Sequence, residues 1–135
     1  NILLAGLRRA RLLRELPPDK LFREAEIEIL DDVYDPQASG RRTALERRLI
    51  ESFRQKMPDV KQLHKQLDEI LASEIPLGIL TDILAFTLKL ALPLKERLLA
   101  ETDVARRAET LLDAMRSGAT TVDSSFKFPP DFSAN

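Results

Sequence analysis

The stretch Leu77-Gly78-Ile79-Leu80-Thr81-Asp82-Ile83-Leu84-Ala85-Phe86-Thr87-Leu88-Lys89-Leu90 decides the fold. Its apolar residues leave only a narrow polar strip at Thr81, Asp82, Thr87 and Lys89. A helix that is apolar nearly all round has no face to give to water, so it is expected at the centre of a bundle. A carboxylate on such a helix must be paired or hydrogen-bonded, because an isolated buried charge is costly. Arg106 and Arg107 are the expected partners of Asp82, in a structural salt bridge rather than as parts of an acid catalyst.

Helical periodicity extends to both sides. Downstream, Pro93 opens a short helix through Leu94, Leu98 and Leu99, since proline is tolerated in a first helical turn. Thr102 or Asp103 is placed to cap a last helix with the face Val104, Ala108, Leu111, Leu112 and Met115, ended by Ser117-Gly118. Upstream, Leu45, Leu49, Ile50, Phe53 and Met57 recur at helical spacing from Arg41 until Pro58. Val60, Leu63, Leu67, Ile70 and Leu71 repeat that spacing. The pattern predicts about five helices around the central one.

Before residue 35 the period is that of strands. Ala25, Ile27 and Ile29 alternate with Glu24, Glu26 and Glu28, as a half-buried strand requires. Ile2 to Ala5 and Ala10 to Leu16 are apolar stretches set off by Gly6 and by Pro17-Pro18-Asp19, giving about three strands. The predicted organisation is α+β: β module 1–34, linker 35–40, helical bundle 41–118 and an extended tail 119–135. Phe126, Phe128 and Phe132 surround Pro129-Pro130, which marks the tail as a partner-docking segment.

Composition excludes several classes. Lys plus Arg total 21 against 22 Asp plus Glu, so no global field draws the chain to nucleic acid or an anionic membrane. The absence of cysteine removes disulfides and thiol chemistry and fits a reducing compartment; the cytoplasm is the expected location. Asn1 is not expected to be the biological start, so an upstream signal peptide would lie outside the chain. Ile75 to Leu94 comes nearest to a membrane span but carries Asp82, Lys89 and two prolines. Glycines at 6, 40, 78 and 118 are too dispersed for a phosphate loop. Lys127 beside Ser124 and Ser125 makes no Ser-Lys dyad, because an extended tail cannot hold nucleophile and base in register.

Asp31, Asp32 and Asp35 lack the glycine and distal glutamate of a calcium loop and read as a solvated strand exit. His64 has no second imidazole and reads as a surface residue. Arg41, Arg42, Arg47, Arg48, Arg54 and Lys56 make the first helix locally basic, and Glu24, Glu26 and Glu28 form an acidic stripe. Solvated faces are the expected reading of both. No catalytic residue, cofactor or metal is expected.

Several stretches resemble the N-terminal substrate-binding domain of Lon-type proteases. They are Gly6-Leu7-Arg8-Arg9-Ala10-Arg11-Leu12; Phe22 through Asp32; Leu80-Thr81-Asp82-Ile83-Leu84-Ala85; Leu94 through Glu101; and Asp103 through Leu112. The likeness covers about residues 2 to 116, with Glu96 where the family often has glutamine. The tail is similar to that of small stand-alone bacterial Lon-domain proteins. The resemblance implies the C-terminal part of a PUA-like β module fused to a helical bundle, engaging unfolded or degron-bearing polypeptides in association with a protease or adaptor. Leu12, Phe22 and Tyr34, near the junction, are the expected polypeptide contacts. The alternatives are an adaptor docking one defined protein partner and, disfavoured by the balanced charge, RNA binding through the β module. The family's upstream strands are expected to be missing, leaving strand edges that favour self-association.

Overall fold

Alternating aliphatic and charged residues build the first two elements. Strand β1 (Arg9–Glu15) pairs antiparallel with β2 (Ala25–Leu30), with Ala10 opposite Ile29 and Leu12 opposite Ile27. A bulge between Leu12 and Arg14 shifts the register, so Arg14 faces Glu26. The structure, a computed structural model, describes residues 6–56, 75–118 and 120–122 together with Lys65, Asp68, Glu69 and Ala72. The strand expected over Ile2 to Ala5 lies outside them, as do His64, Ser124, Ser125, Lys127 and the three tail phenylalanines.

The fold is α+β: the ribbon precedes helices α1 (Ser39–Arg54), α2 (Leu77–Thr87), α3 (Leu92–Ala100) and α4 (Val104–Arg116). Strand β3 (Leu88–Lys89) follows α2 and pairs antiparallel with β4 (Thr121–Val122). Of the further helix expected over Val60 to Leu71, Lys65, Asp68 and Glu69 are helical, whereas its apolar positions lie outside the described residues. Among the described residues no helix is long and apolar enough to cross a membrane.

The core joins Leu45, Leu49 and Phe53 of α1 to Leu80 and Leu84 of α2 and to Val104, Leu111, Leu112 and Met115 of α4. Asp103 caps α4, its side chain accepting the Arg106 amide at 3.0 Å, and Gly118 takes the left-handed φ of 74° beyond the C-cap. Arg41 of α1 reaches Glu109 of α4 at 2.7 Å, and this hydrogen bond and charge raise the arginine pKa above its ordinary value.

Three expectations need correction. First, α2 is buried along one face rather than all round: Leu80 is fully buried, but Ile79 and Phe86 are 50% and 64% exposed. The supposed polar strip turns partly inward. Thr81 and Thr87 are buried because each hydroxyl donates to the carbonyl four residues back, Leu77 at 2.7 Å and Ile83 at 2.8 Å. Second, the helix stops at Thr87. Leu88 and Leu90 are buried on either side of exposed Lys89, a period of two that suits the short pairing with β4. Third, the aliphatic face of the ribbon is open rather than half-buried: Leu12, Ile27 and Ile29 are all exposed, since among the described residues no layer covers it.

Truncating the buried Leu80 to alanine is expected to cost about 3 kcal/mol. Ile79→Ala, one residue away on the exposed side, should cost under about 1 kcal/mol. Urea unfolding midpoints of the two variants test this assignment of faces.

Candidate functional site

Two arginines and two aspartates from distant parts of the chain meet where the ribbon joins the helices. The Arg107 side chain of α4 is fully buried and grips Asp32 with both terminal nitrogens, Nη1 to Oδ1 at 2.9 Å and Nη2 to Oδ2 at 2.8 Å. Nη1 also donates to the Glu101 carbonyl at 2.8 Å. Arg9 of β1 donates to Asp32 at 3.1 Å and to both oxygens of Asp82 at 2.6 and 2.8 Å, while its Nε reaches the Leu99 carbonyl at 3.1 Å. Arg107 Nε lies 3.3 Å from Asp82 Oδ1, close enough for charge attraction but not aligned as a hydrogen bond. Two positive and two negative groups cancel, which is how such charges tolerate removal from water.

The expected pairing of Asp82 with Arg107 is present; Arg106 instead lies 3.4 Å from Glu101. Arg9 and Asp32 escape notice in the sequence. Asp32 looked like a solvated strand exit, yet it is the carboxylate that both arginines share, only 23% exposed. One signal was available: Gly78, an isolated glycine in an apolar helical run, which marks a close approach. A β-carbon there would sit 2.3 Å from Asp32 Oδ2 and 2.9 Å from Arg107 Nη2. Backbone pairing secures the same junction. Val33 donates to the Thr102 carbonyl at 2.8 Å and accepts from the Val104 amide at 3.1 Å, forming a parallel bridge with Asp103.

Against this cluster lies a groove of about 500 Å³ between the start of the ribbon, α2 and α3. Leu7, Ala85, Phe86, Leu98 and Leu99 form its apolar wall, with Arg8 and Lys95 among the charged lining residues. Leu7 and Leu99 are 92% and 67% exposed, so the groove presents apolar surface to solvent. A second cleft of about 520 Å³, lined by Tyr34, Arg42, Glu46, Ile75, Pro76 and Leu77, is more polar. Its Arg42 guanidinium stands 5.9 Å from the Tyr34 ring.

The three expected contacts do not converge. Tyr34 lines the second cleft, Leu12 stands on the open face of the ribbon, and Phe22 sits beyond β1 with Lys20 at 5.5 Å from its ring. Neither groove includes Leu12 or Phe22. The acidic stripe is matched by neighbouring cations, and the basic helix is matched in part. Glu28, Glu26 and Glu24 pair with Arg11, Arg14 and Lys20 at 3.0, 2.6 and 2.7 Å, and Arg54 of the basic helix pairs with Asp68 at 2.6 Å. Among the described residues no group of three or more His, Cys, Asp or Glu is arranged to hold a metal ion.

Replacing Arg107 by methionine should destabilise the chain by about 3 kcal/mol, because Asp32 loses its bidentate partner inside a largely dry site. Arg107→Lys should recover only part of this, lacking the planar fork. Gly78→Ala should also destabilise, by about 2 kcal/mol, although alanine is worth about 1 kcal/mol over glycine in an unobstructed helix. Denaturant titration distinguishes these outcomes; a methionine variant as stable as the parent would remove the cluster from its role.

A family model described as the ATP-dependent protease La (LON) substrate-binding domain matches residues 1–117. No curated protein and no solved structure gives a match.

Proposed function

The chain belongs to the ATP-dependent protease La (LON) substrate-binding domain family, and from that premise we propose that it is a non-catalytic module receiving unfolded or degron-bearing polypeptide segments in the groove between ribbon and helices. The family supports substrate recognition in general. The observation that carries the finer reading is the apolar wall of Leu7, Phe86 and Leu99 at that junction.

The chemistry suits an extended chain of low sequence specificity. Aliphatic side chains bind by excluding water and lack the directional donors that would select one partner group. The neighbouring charges are engaged with one another: Arg9 with Asp32 and Asp82, and Arg8 with Asp31. They rim the groove as paired ions, with Lys95 as a further charged lining residue. Leu12, Phe22 and Tyr34 are, in this reading, outlying apolar contacts for a segment longer than the groove.

The test is retention of a reduced, permanently unfolded model protein against its folded form. Burying one leucine-sized side chain is worth about 1.5–3 kcal/mol, so Leu99→Asp should weaken binding about tenfold or more. Leu12→Asp should weaken it only about two- to threefold, the contact being peripheral. Equal retention of folded and unfolded forms, or no loss with Leu99→Asp, would refute the proposal.

A further inference from the structure

The register of the small β3–β4 pair gives the chain a direction at Val122. Lys89 is opposite Thr121 and Leu88 is opposite Val122, so the chain runs backwards along β3 toward the end of α2. The next side chains on that path are Thr87 and Phe86, and Phe86 is the aromatic wall of the groove. Paired strands hold their Cα atoms about 5 Å apart. Two residues span at most about 7 Å, so Val122 lies within about 12 Å of Phe86. Four further residues reach at most about 14 Å, enough to bring Phe126 to the groove, with Phe128 close behind.

The segment that follows Val122 is suited to that surface. Residues 123–135 carry Phe126, Phe128 and Phe132, three of the six phenylalanines in the chain. Its charged residues are Asp123, Lys127 and Asp131, and the two carboxylates are opposite in charge to Lys95 in the groove lining. The family match covers residues 1–117, so this aromatic segment lies outside it.

We infer that the C-terminal segment is the groove's own ligand: Phe126 and Phe128 occupy the apolar wall of Leu7, Phe86 and Leu99 in cis and compete with incoming polypeptide. The competition, though not the docking, rests on the groove being a polypeptide site. A short flexible tether gives an effective concentration of order millimolar. A tail with an intrinsic dissociation constant near ~0.1 mM would then fill the groove in about nine molecules of ten and weaken outside binding about tenfold.

The full chain contains no cysteine, which permits a clean crosslinking test. With Leu99→Cys and Ser125→Cys introduced together, mild oxidation should give an intrachain disulfide, and adding Phe126→Ala and Phe128→Ala should slow its formation at least about fivefold. An unchanged rate would mean that the tail is merely nearby, and a disulfide between two chains would mean that the groove is filled in trans; either overturns the inference. In parallel, the full chain carrying only the two alanines should bind an unfolded model protein about tenfold more tightly, and unchanged or weaker binding counts against competition. If phenylalanine-dependent crosslinking occurs while no variant binds unfolded protein, docking stands and the polypeptide-binding reading falls.

Discussion

The arrangement of this domain depends on one neutral cluster of four charges. Arg9 comes from β1, Asp32 from the end of β2, Asp82 from α2 and Arg107 from α4, so a single junction fixes four parts of the chain. Arginine suits this position because its planar fork meets a carboxylate with two parallel bonds and it stays charged when enclosed. Hydrophobic burial supplies the cohesion of the helices, but it is non-directional. The directional contacts at the cluster set where the ribbon attaches. Because Arg9 also holds the Leu99 carbonyl, the same contacts bring Leu7 and Arg8 alongside α3 and create the groove.

The division of labour between core and groove follows the two faces of α2. Leu80 and Leu84 join the core with α1 and α4, whereas Phe86 lines the groove and Ala85 both packs against the core and lines the groove. The apolar character that makes this helix look wholly buried therefore serves two surfaces, the core and the groove wall. The threonines are compatible with the core side because their hydroxyls are satisfied within the helix. An apolar wall on the groove side fits the substrate-recognition role of the family.

Much of the helical architecture was legible in the sequence. The spacing of Leu45, Leu49 and Phe53, the cap at Asp103 and the glycine at 118 each obey local rules that hold without knowledge of the fold. The pairing of Asp82 was legible through its cost, and Arg107 was named as a partner. Arg9 was not, because it lies 73 residues from Asp82 and nothing local distinguishes it from Arg8, Arg11 or Arg14. The exposure of Ile79 and Phe86 was hidden for a related reason: periodicity reports which residues are apolar, and it cannot separate a face that enters the core from one that stays partly exposed. The end of α2 at Thr87 was visible only in retrospect, in the alternation of Leu88, Lys89 and Leu90.

Among the described residues the ribbon is attached to the helices at one end. Arg9, Asp32 and the Val33 bridge hold its base, while β1 runs for seven residues away from them to Glu15. At about 3.3 Å per residue the strand is a cantilever about 23 Å long. Rocking of about 5° at the clamped base would sweep the free end through about 2 Å, the scale of a side-chain displacement. The stiffness of four salt-bridged groups thus governs the position of residues with which they share no contact.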